Sequence, residues 1–341
     1  MPWNLCASLL SYMSVGPNVF GYDLRKATMP IIREYDYALS SILQNEDEVN
    51  QLVFSHAVRK SDKVHLAAAD DNGDIQITES IFHNGQMEEG NKNGKSSTKS
   101  LQHAQKGAAL VTSIGFRPRS KGLDLASGGT DCMIHLWDIT RPWRPSASFE
   151  IEQDDAGANQ VCNPPMVHSL AWSPSGRLLA SGLGDGTCSL LSVEGRRLVE
   201  ACRLTECHDA AVACVRFPDF GTNQSSHVTA EDRLLVSAGN DGALLLWDLG
   251  ENVAGKHAVD PNTMFHGCEQ QQTNNIDSDM NETKMASLSL NSPSPEIIFG
   301  IPHQKKPNWV TNSNNLVSSL PNSLFVADVS KDISVYILPY R

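Results

Sequence analysis

The stretch Leu234-Leu-Val-Ser-Ala-Gly-Asn-Asp-Gly-Ala-Leu-Leu-Leu-Trp-Asp-Leu249 decides how this chain is read. It is an apolar run, a small residue, a polar turn containing Asp241, and a second apolar run ending in Trp-Asp. Two short apolar runs flanking an Asp-Gly turn predict two strands, not a helix. The same frame recurs upstream in Leu123-Asp-Leu-Ala-Ser-Gly-Gly-Thr-Asp-Cys-Met-Ile-His-Leu-Trp-Asp-Ile139. Ser237 precedes Asp241 by four residues and Trp247 follows it by six; Ser127, Asp131 and Trp137 repeat both intervals.

Four weaker copies share the frame. Leu178–Ser192 keeps Ser181 and Asp185 but has Leu191 in the Trp slot. Val64–Glu79 ends in Thr-Glu, Leu324–Ile337 puts Tyr336 in the slot, and Val19–Leu24 supplies Tyr22-Asp23. A further strand is expected ahead of most pairs, as in Val167–Gly176, Val212–Pro218, Val111–Pro118 and Val49–Phe54. Another is expected after the slot, as in Arg197–Leu204. A four-stranded unit written repeatedly is the signature of a propeller, in which each unit is one blade.

These units resemble WD repeats. In that family a His, a Ser or Thr, an Asp and a Trp form a hydrogen-bonded set. The resemblance places one set at His208, Ser237, Asp241 and Trp247 and a second at His103, Ser127, Asp131 and Trp137. Cys207 stands before His208 where the family has Gly. The implied role is architectural, because buried hydroxyl, indole and imidazole groups need partners and a shared network supplies them. The expected fold class is all-β, a seven-bladed WD40 β-propeller with the first blade missing or incomplete and six recognisable repeats. The first repeat is expected to begin near its innermost strand, because only 21 residues precede Tyr22.

The Trp slots fall at 22, 78, 137, 191, 247 and 336. Every step exceeds the roughly 40–45 residues of a typical blade, so loops are inserted throughout. The largest insert, with Gln270-Gln-Gln-Thr-Asn-Asn275 and Ser292-Pro-Ser-Pro295, is polar and aperiodic and reads as disordered. The expected organisation is propeller blades over 1–249, a low-complexity insert over 250–295 and a final blade over 296–341.

Composition narrows the function. Apolar residues make up 40% of the 341, and the net charge of −12 comes from 39 acidic against 27 basic residues. An acidic chain without a basic stripe is a poor candidate for nucleic acid or for an anionic membrane surface. The eight cysteines include no Cys-x-x-Cys pair and mostly sit in apolar runs, which suits a reducing compartment. Cys202, Cys207, His208 and Cys214 lack the spacing of a zinc site. Gly182-Leu-Gly-Asp-Gly186 lies between two strands and reads as a turn, not a phosphate loop. No nucleophile elbow occurs, so no catalytic residue, cofactor or metal is expected. The expected protein is a monomeric, intracellular, cytoplasmic or nuclear scaffold for protein partners.

One element points to a particular partner. Tyr22-Asp23-Leu24-Arg25 resembles the Trp-Asp-x-Arg box of WD proteins that dock on the DDB-one adaptor of cullin-four ubiquitin ligases. The resemblance implies that Asp23 holds a turn and Arg25 makes the contact. Gly16 stands where such a box has a turn Asp. The target carried to the ligase is not legible.

Overall fold

A computed structural model describes residues 10–23, 38–55, 64–79, 82–83, 86–87, 98–153, 164–205, 207–218, 232–250, 253, 295–303, 305–312, 323–330 and 332–337. Their regular structure is almost entirely antiparallel strand. Six sheets follow one another along the chain. The first holds β1 (Leu10–Val15), β2 (Asn18–Asp23) and β3 (Ala38–Gln44). The second holds β4 (Val49–Phe54), β5 (His65–Asp70), β6 (Asp74–Glu79) and β9 (Lys99–Gln102), with the short hairpin β7 (Phe82–His83) and β8 (Gln86–Met87) beside it in sequence. The third is β10 (Val111–Phe116), β11 (Asp124–Gly129), β12 (Met133–Asp138) and β13 (Ala147–Glu150). The fourth is β14 (Val167–Trp172), β15 (Leu178–Leu183), β16 (Cys188–Glu194) and β17 (Arg197–Leu204). The fifth is β18 (Val212–Arg216), β19 (Leu234–Gly239), β20 (Ala243–Asp248) and β21 (Glu296–Pro302). The sixth is β22 (Pro307–Asn312), β23 (Ser323–Asp328) and β24 (Ile333–Ile337).

The strand registers put all six sheets in one frame. Trp137 lies opposite Leu125, Trp247 opposite Leu235, Leu191 opposite Leu179, Thr78 opposite Leu66, Tyr336 opposite Leu324 and Tyr22 opposite Ser11. The slot inferred from spacing is therefore one structural position, repeated. By this register β1 and β2 correspond to the second and third strands of the other sheets, and β1 packs beside β4 as β11 packs beside β14. Among the described strands β1 is the edge of its three-stranded sheet.

Strands β4, β10, β14, β18 and β22 lead their sheets, and consecutive ones lie side by side. Each carries a β-bulge at its second residue, between Val49 and Gln51, Val111 and Ser113, Val167 and Ser169, Val212 and Cys214, and Pro307 and Trp309. A bulge adds local twist. Five at one position turn the second to sixth sheets alike.

The second to fifth sheets are packed on both faces, because period-2 alternation sends successive side chains to opposite neighbours, whereas the first and sixth leave Met13, Val15, Ile333 and Ile337 exposed. Val19 and Leu43 meet Leu66 and Ala68 between the first and second sheets. Ile75, Ile77 and Leu101 meet Ile114, Leu125 and Trp137 between the second and third. Ile134 and Leu136 meet Leu179 and Leu191 between the third and fourth. Leu190 and Cys188 meet Leu235 and Trp247 between the fourth and fifth. Leu244 and Val236 meet Leu324 and Val326 between the fifth and sixth. The apolar core is therefore a series of seams, one per pair of sheets. Strands buried on both faces read as continuous apolar runs, as β5 and β15 do.

Arg25 and nearly all of the 250–295 insert lie outside the described residues.

Candidate functional site

The polar clusters lie where the second strand, its turn and the third strand of a sheet meet the loop from the preceding sheet. Ser237 accepts the indole N–H of Trp247 at 3.0 Å and lies 2.9 Å from His208 Nε2. His208 Nδ1 lies 3.2 and 3.1 Å from the two Asp241 carboxylate oxygens. Because the Asp241 carboxylate can only accept, Nδ1 of a neutral ring carries the proton and Nε2 accepts the Ser237 hydroxyl proton. Burial lowers the His208 pKa, against the raising pull of Asp241. The ring is neutral, as this pattern requires. Gly239 is needed because a Cβ there would collide with the His208 ring and with Asp241.

The second set repeats this with the imidazole turned over. His103 Nδ1 lies 2.7 Å from Ser127 Oγ and Nε2 lies 3.2 Å from Asp131 Oδ1, while Trp137 donates to Ser127 at 2.8 Å. Burial would raise the Asp131 carboxyl, but hydrogen bonds from His103 and the Met133 amide outweigh it and hold the pKa below the usual value.

The aspartate does a second job that explains its presence in degenerate copies. Asp131, Asp185 and Asp241 each accept the backbone N–H two residues on, at Met133, Thr187 and Ala243. That Asx turn stabilises the hairpin whether or not a histidine is present. In the fourth sheet Leu191 supplies no indole, and Ser181 instead donates to the Ser189 carbonyl. In the second sheet Ala68 and Thr78 remove the hydroxyl and indole together.

Sequence reasoning missed three related groups. The N–H of His303 bonds Gly242 O as that of His103 bonds Gly73 O, which marks His303 as the equivalent residue of the sixth sheet. Its Nδ1 lies 2.6 Å from the Tyr336 hydroxyl and its Nε2 3.0 Å from Asp328. One phenol thus stands in for serine and tryptophan. Asp328 lies two residues before the expected position, which hid the set. Asn45 takes the histidine position of the second sheet and donates to Asp70 at 3.2 Å, with the same offset. His135 packs 4.6 Å from the His103 ring and edge-on to Trp137. Burial, with the charge of His103 second, lowers its pKa to about 4. The pattern that would have revealed His135 is the strand alternation of Met133–Asp138, which puts it on the face of Trp137.

In the two full clusters both ring nitrogens of the histidine, the serine hydroxyl and the indole N–H are all engaged with one another or with the aspartate. Cys207 fills the Gly position by pointing its thiol at Gly186 O, 2.8 Å away, and by packing 3.9 Å from Cys188 Sγ. Among the described residues no group of His, Cys, Asp and Glu is arranged to hold a metal ion, and no helix is long and apolar enough to cross a membrane.

The loops form two ends with different charge. Loops bearing the cluster aspartates carry Glu46, Glu48, Asp71, Asp185 and Asp209, with Lys106 held by Glu46 at 2.5 Å. The opposite end, where the Trp-Asp pairs terminate, carries Arg117, Arg119, Lys121, Arg141, Arg144 and Arg196. No basic stripe is visible in the sequence because these residues come from three separate loops. Here too the sheets are latched: Arg117 donates to Gly176 O at 2.7 Å, and Arg177 reaches the fully buried Asp232 at 3.3 Å.

Of the proposed adaptor box, Tyr22 and Asp23 end β2 at the frame position of Trp247 and Asp248. Arg25 lies outside the described residues.

Comparison with known proteins follows the same lines. The family "WD domain, G-beta repeat" matches residues 95–138 and 200–248, the two best copies, and "Anaphase-promoting complex subunit 4 WD40 domain" matches 157–219. The degenerate last repeat, with Pro307-Asn-Trp-Val310 and Leu324–Tyr336 after a long polar insert, resembles that of WD repeat-containing protein 53. The "WD repeat-containing protein 53 homolog" of Dictyostelium discoideum is 25% identical over 95% of this chain and 75% of its own length. "WD repeat-containing protein VIP3" of Arabidopsis thaliana is 34% identical over 26% of this chain and 28% of its own length. With its repeated sheets, its indole-centred clusters and these matches, the chain carries WD40 repeats and is similar to the WD repeat-containing protein 53 homolog over nearly its whole length.

Proposed function

We propose that this WD-repeat protein is a non-catalytic interaction scaffold that serves as substrate receptor of a cullin-four ubiquitin ligase, in the cytoplasm, the nucleus or both. WD40 domains generally mediate protein–protein contacts, and the buried clusters lock the sheets so that the loops at both ends are presented rigidly. The observation that carries the ligase reading is register. Leu10 opposite Asp23 and Ser11 opposite Tyr22 repeat the pairing of Leu234 with Asp248 and Leu235 with Trp247. That register supports reading Tyr22-Asp23-Leu24-Arg25 as a Trp-Asp-x-Arg box. An arginine two residues past that aspartate offers a planar fork to carboxylate or carbonyl groups of the adaptor.

The test is co-purification of the DDB-one adaptor with tagged full-length chain. Arg25→Ala is expected to reduce adaptor recovery at least fivefold with thermal melting unchanged. Equal recovery from the variant removes the ligase role and leaves a scaffold without it.

A further inference from the structure

We propose that the cleft lined by the Asp74 carboxylate and the open indole of Trp143 binds an arginine side chain of a partner protein. The proposal rests on the interaction-scaffold reading and is independent of the adaptor box. The cleft measures about 410 Å³, and three separate parts of the chain line it. Glu46 comes from the β3–β4 loop, a polar patch from the outer strands β6 and β9 of the second sheet, and Trp143 from the β12–β13 loop of the third. On β6 and β9 the register pairs Asp74 with Gln102 and Gln76 with Ser100, so these four side chains share one face. Ile75 and Leu101 go to the other face and its apolar seam.

Asp74 is the residue that the repeat does not explain. It stands four residues before the Trp slot, where the next three sheets have Met133, Thr187 and Ala243. It is only 5% exposed, and neither carboxylate oxygen has a hydrogen-bond partner among the described residues. Burial first, and then Asp70, raise its pKa; Lys106 lowers it and Glu46 raises it. The Lys106 ammonium is held by both carboxylate oxygens of Glu46, at 2.5 and 2.7 Å. Glu46, Asp70 and Asp74 against Lys106 leave an excess of negative charge. Arg141 and Arg144 flank Trp143 in sequence, but neither lines the cleft nor is among the charges acting on Asp74. An anion buried without a partner pays a desolvation cost that an incoming cation offsets.

Trp143 is 74% exposed, although folding usually covers most of an indole. Its loop is nevertheless fixed. The Thr140 N–H and hydroxyl bond Asp138 Oδ1 at 2.9 and 2.5 Å, and the Arg141 N–H bonds Asp138 O at 2.8 Å. The turn before Asp74 is fixed as well. Asp70 Oδ1 accepts the N–H of Asn72 at 3.1 Å and of Asp74 at 2.9 Å, while the His103 N–H bonds Gly73 O at 2.9 Å. Both walls are set before a ligand arrives, so little ordering entropy is lost on binding. A guanidinium suits them because its planar fork donates to a carboxylate and to amide or hydroxyl oxygens while its face stacks on an indole. A compact ammonium does one or the other. Among the described residues no group of His, Cys, Asp and Glu is arranged for a metal ion, and such an ion would leave the indole unused.

The experiment measures fluorescence anisotropy of a labelled decapeptide of alternating arginine and glycine with the full chain. Salt is kept at about 150 mM, where charges more than about 8 Å apart are screened. Wild-type protein is expected to bind, and Asp74→Asn and Trp143→Ala each to bind at least about fivefold more weakly. Asp74→Asn should melt no lower than wild type, because it removes an unpartnered charge beside Asp70. If it does melt lower, Asp74 has a structural role and that part of the proposal falls; Trp143→Ala, at an exposed position, then decides the rest. Glu194→Gln removes one exposed charge at the end of β16 and should leave binding intact. No binding by the wild type, equal binding by Trp143→Ala, or as large a loss from Glu194→Gln as from Asp74→Asn overturns the proposal. Equal or tighter binding of the lysine–glycine peptide overturns the assignment to arginine. If the cleft fails while Arg25→Ala still loses the adaptor, only the cleft is refuted.

Discussion

Replacing Ser237 by alanine tests whether the indole-centred cluster locks its sheet. Ser237 is fully buried, accepts Trp247 Nε1–H at 3.0 Å and donates to His208 Nε2 at 2.9 Å. Ser237→Ala removes one hydroxyl and orphans two buried groups, each costing roughly 1–3 kcal/mol. The expected loss is about 2–6 kcal/mol, far above what one hydroxyl's volume would cause. Ser181 is the internal comparison, since it holds the same frame position with Leu191 in the slot and donates only to Ser189 O at 3.2 Å. Ser181→Ala is expected to cost about 1 kcal/mol. Trp247→Phe removes the indole N–H, so adding Ser237→Ala to it leaves one orphan fewer. The double variant should be more stable than the sum of the singles by about 1–2 kcal/mol. Urea unfolding followed by far-ultraviolet circular dichroism, with slopes compared so that midpoints can be converted to free energies, measures all four variants. The reasoning is refuted if Ser237→Ala costs no more than Ser181→Ala, or if the cycle is additive.

Two further outcomes are expected. Because the folded pKa of His135 is about 4 against 6.5 for the free side chain, the unfolded chain binds its proton first as pH falls. Stability is full above pH 6.5 and declines toward pH 4, by about 2 kcal/mol between pH 6.5 and 5. The lowered pKa of His208 acts in the same direction. His135→Gln should flatten the urea-midpoint profile over this range, and an unchanged slope would refute the assignment. Burial raises the Cys214 pKa, and the Cys188 thiol is held up by its hydrogen bond with Cys207 and by burial. Iodoacetamide at pH 8 should leave both unlabelled in the native protein and label both in urea, as read by peptide mass mapping; native labelling of either would contradict the packing.

The sequence alone determined the repeating hairpin, the slot and two of the clusters. Spacing is enough there, because a strand has period two and an Asx turn fixes which residues face each other. Leu234–Leu249 fixes Ser237, Asp241 and Trp247 on one hairpin, and only the arrival of His208 from a separate loop had to be inferred from family resemblance. Tyr336 was legible in the slot, but His303 and Asp328 stayed hidden because the aspartate sits two residues early and the histidine arrives from a separate loop. Only the tertiary structure decided that β1 holds the frame position of a second strand, that Asp232 latches two sheets, and that basic residues from three loops gather at one end. Arg119, Arg141 and Arg196 are far apart in the chain. They share a surface because an antiparallel meander returns every first and third connection to the same end, a geometric consequence that no linear spacing records.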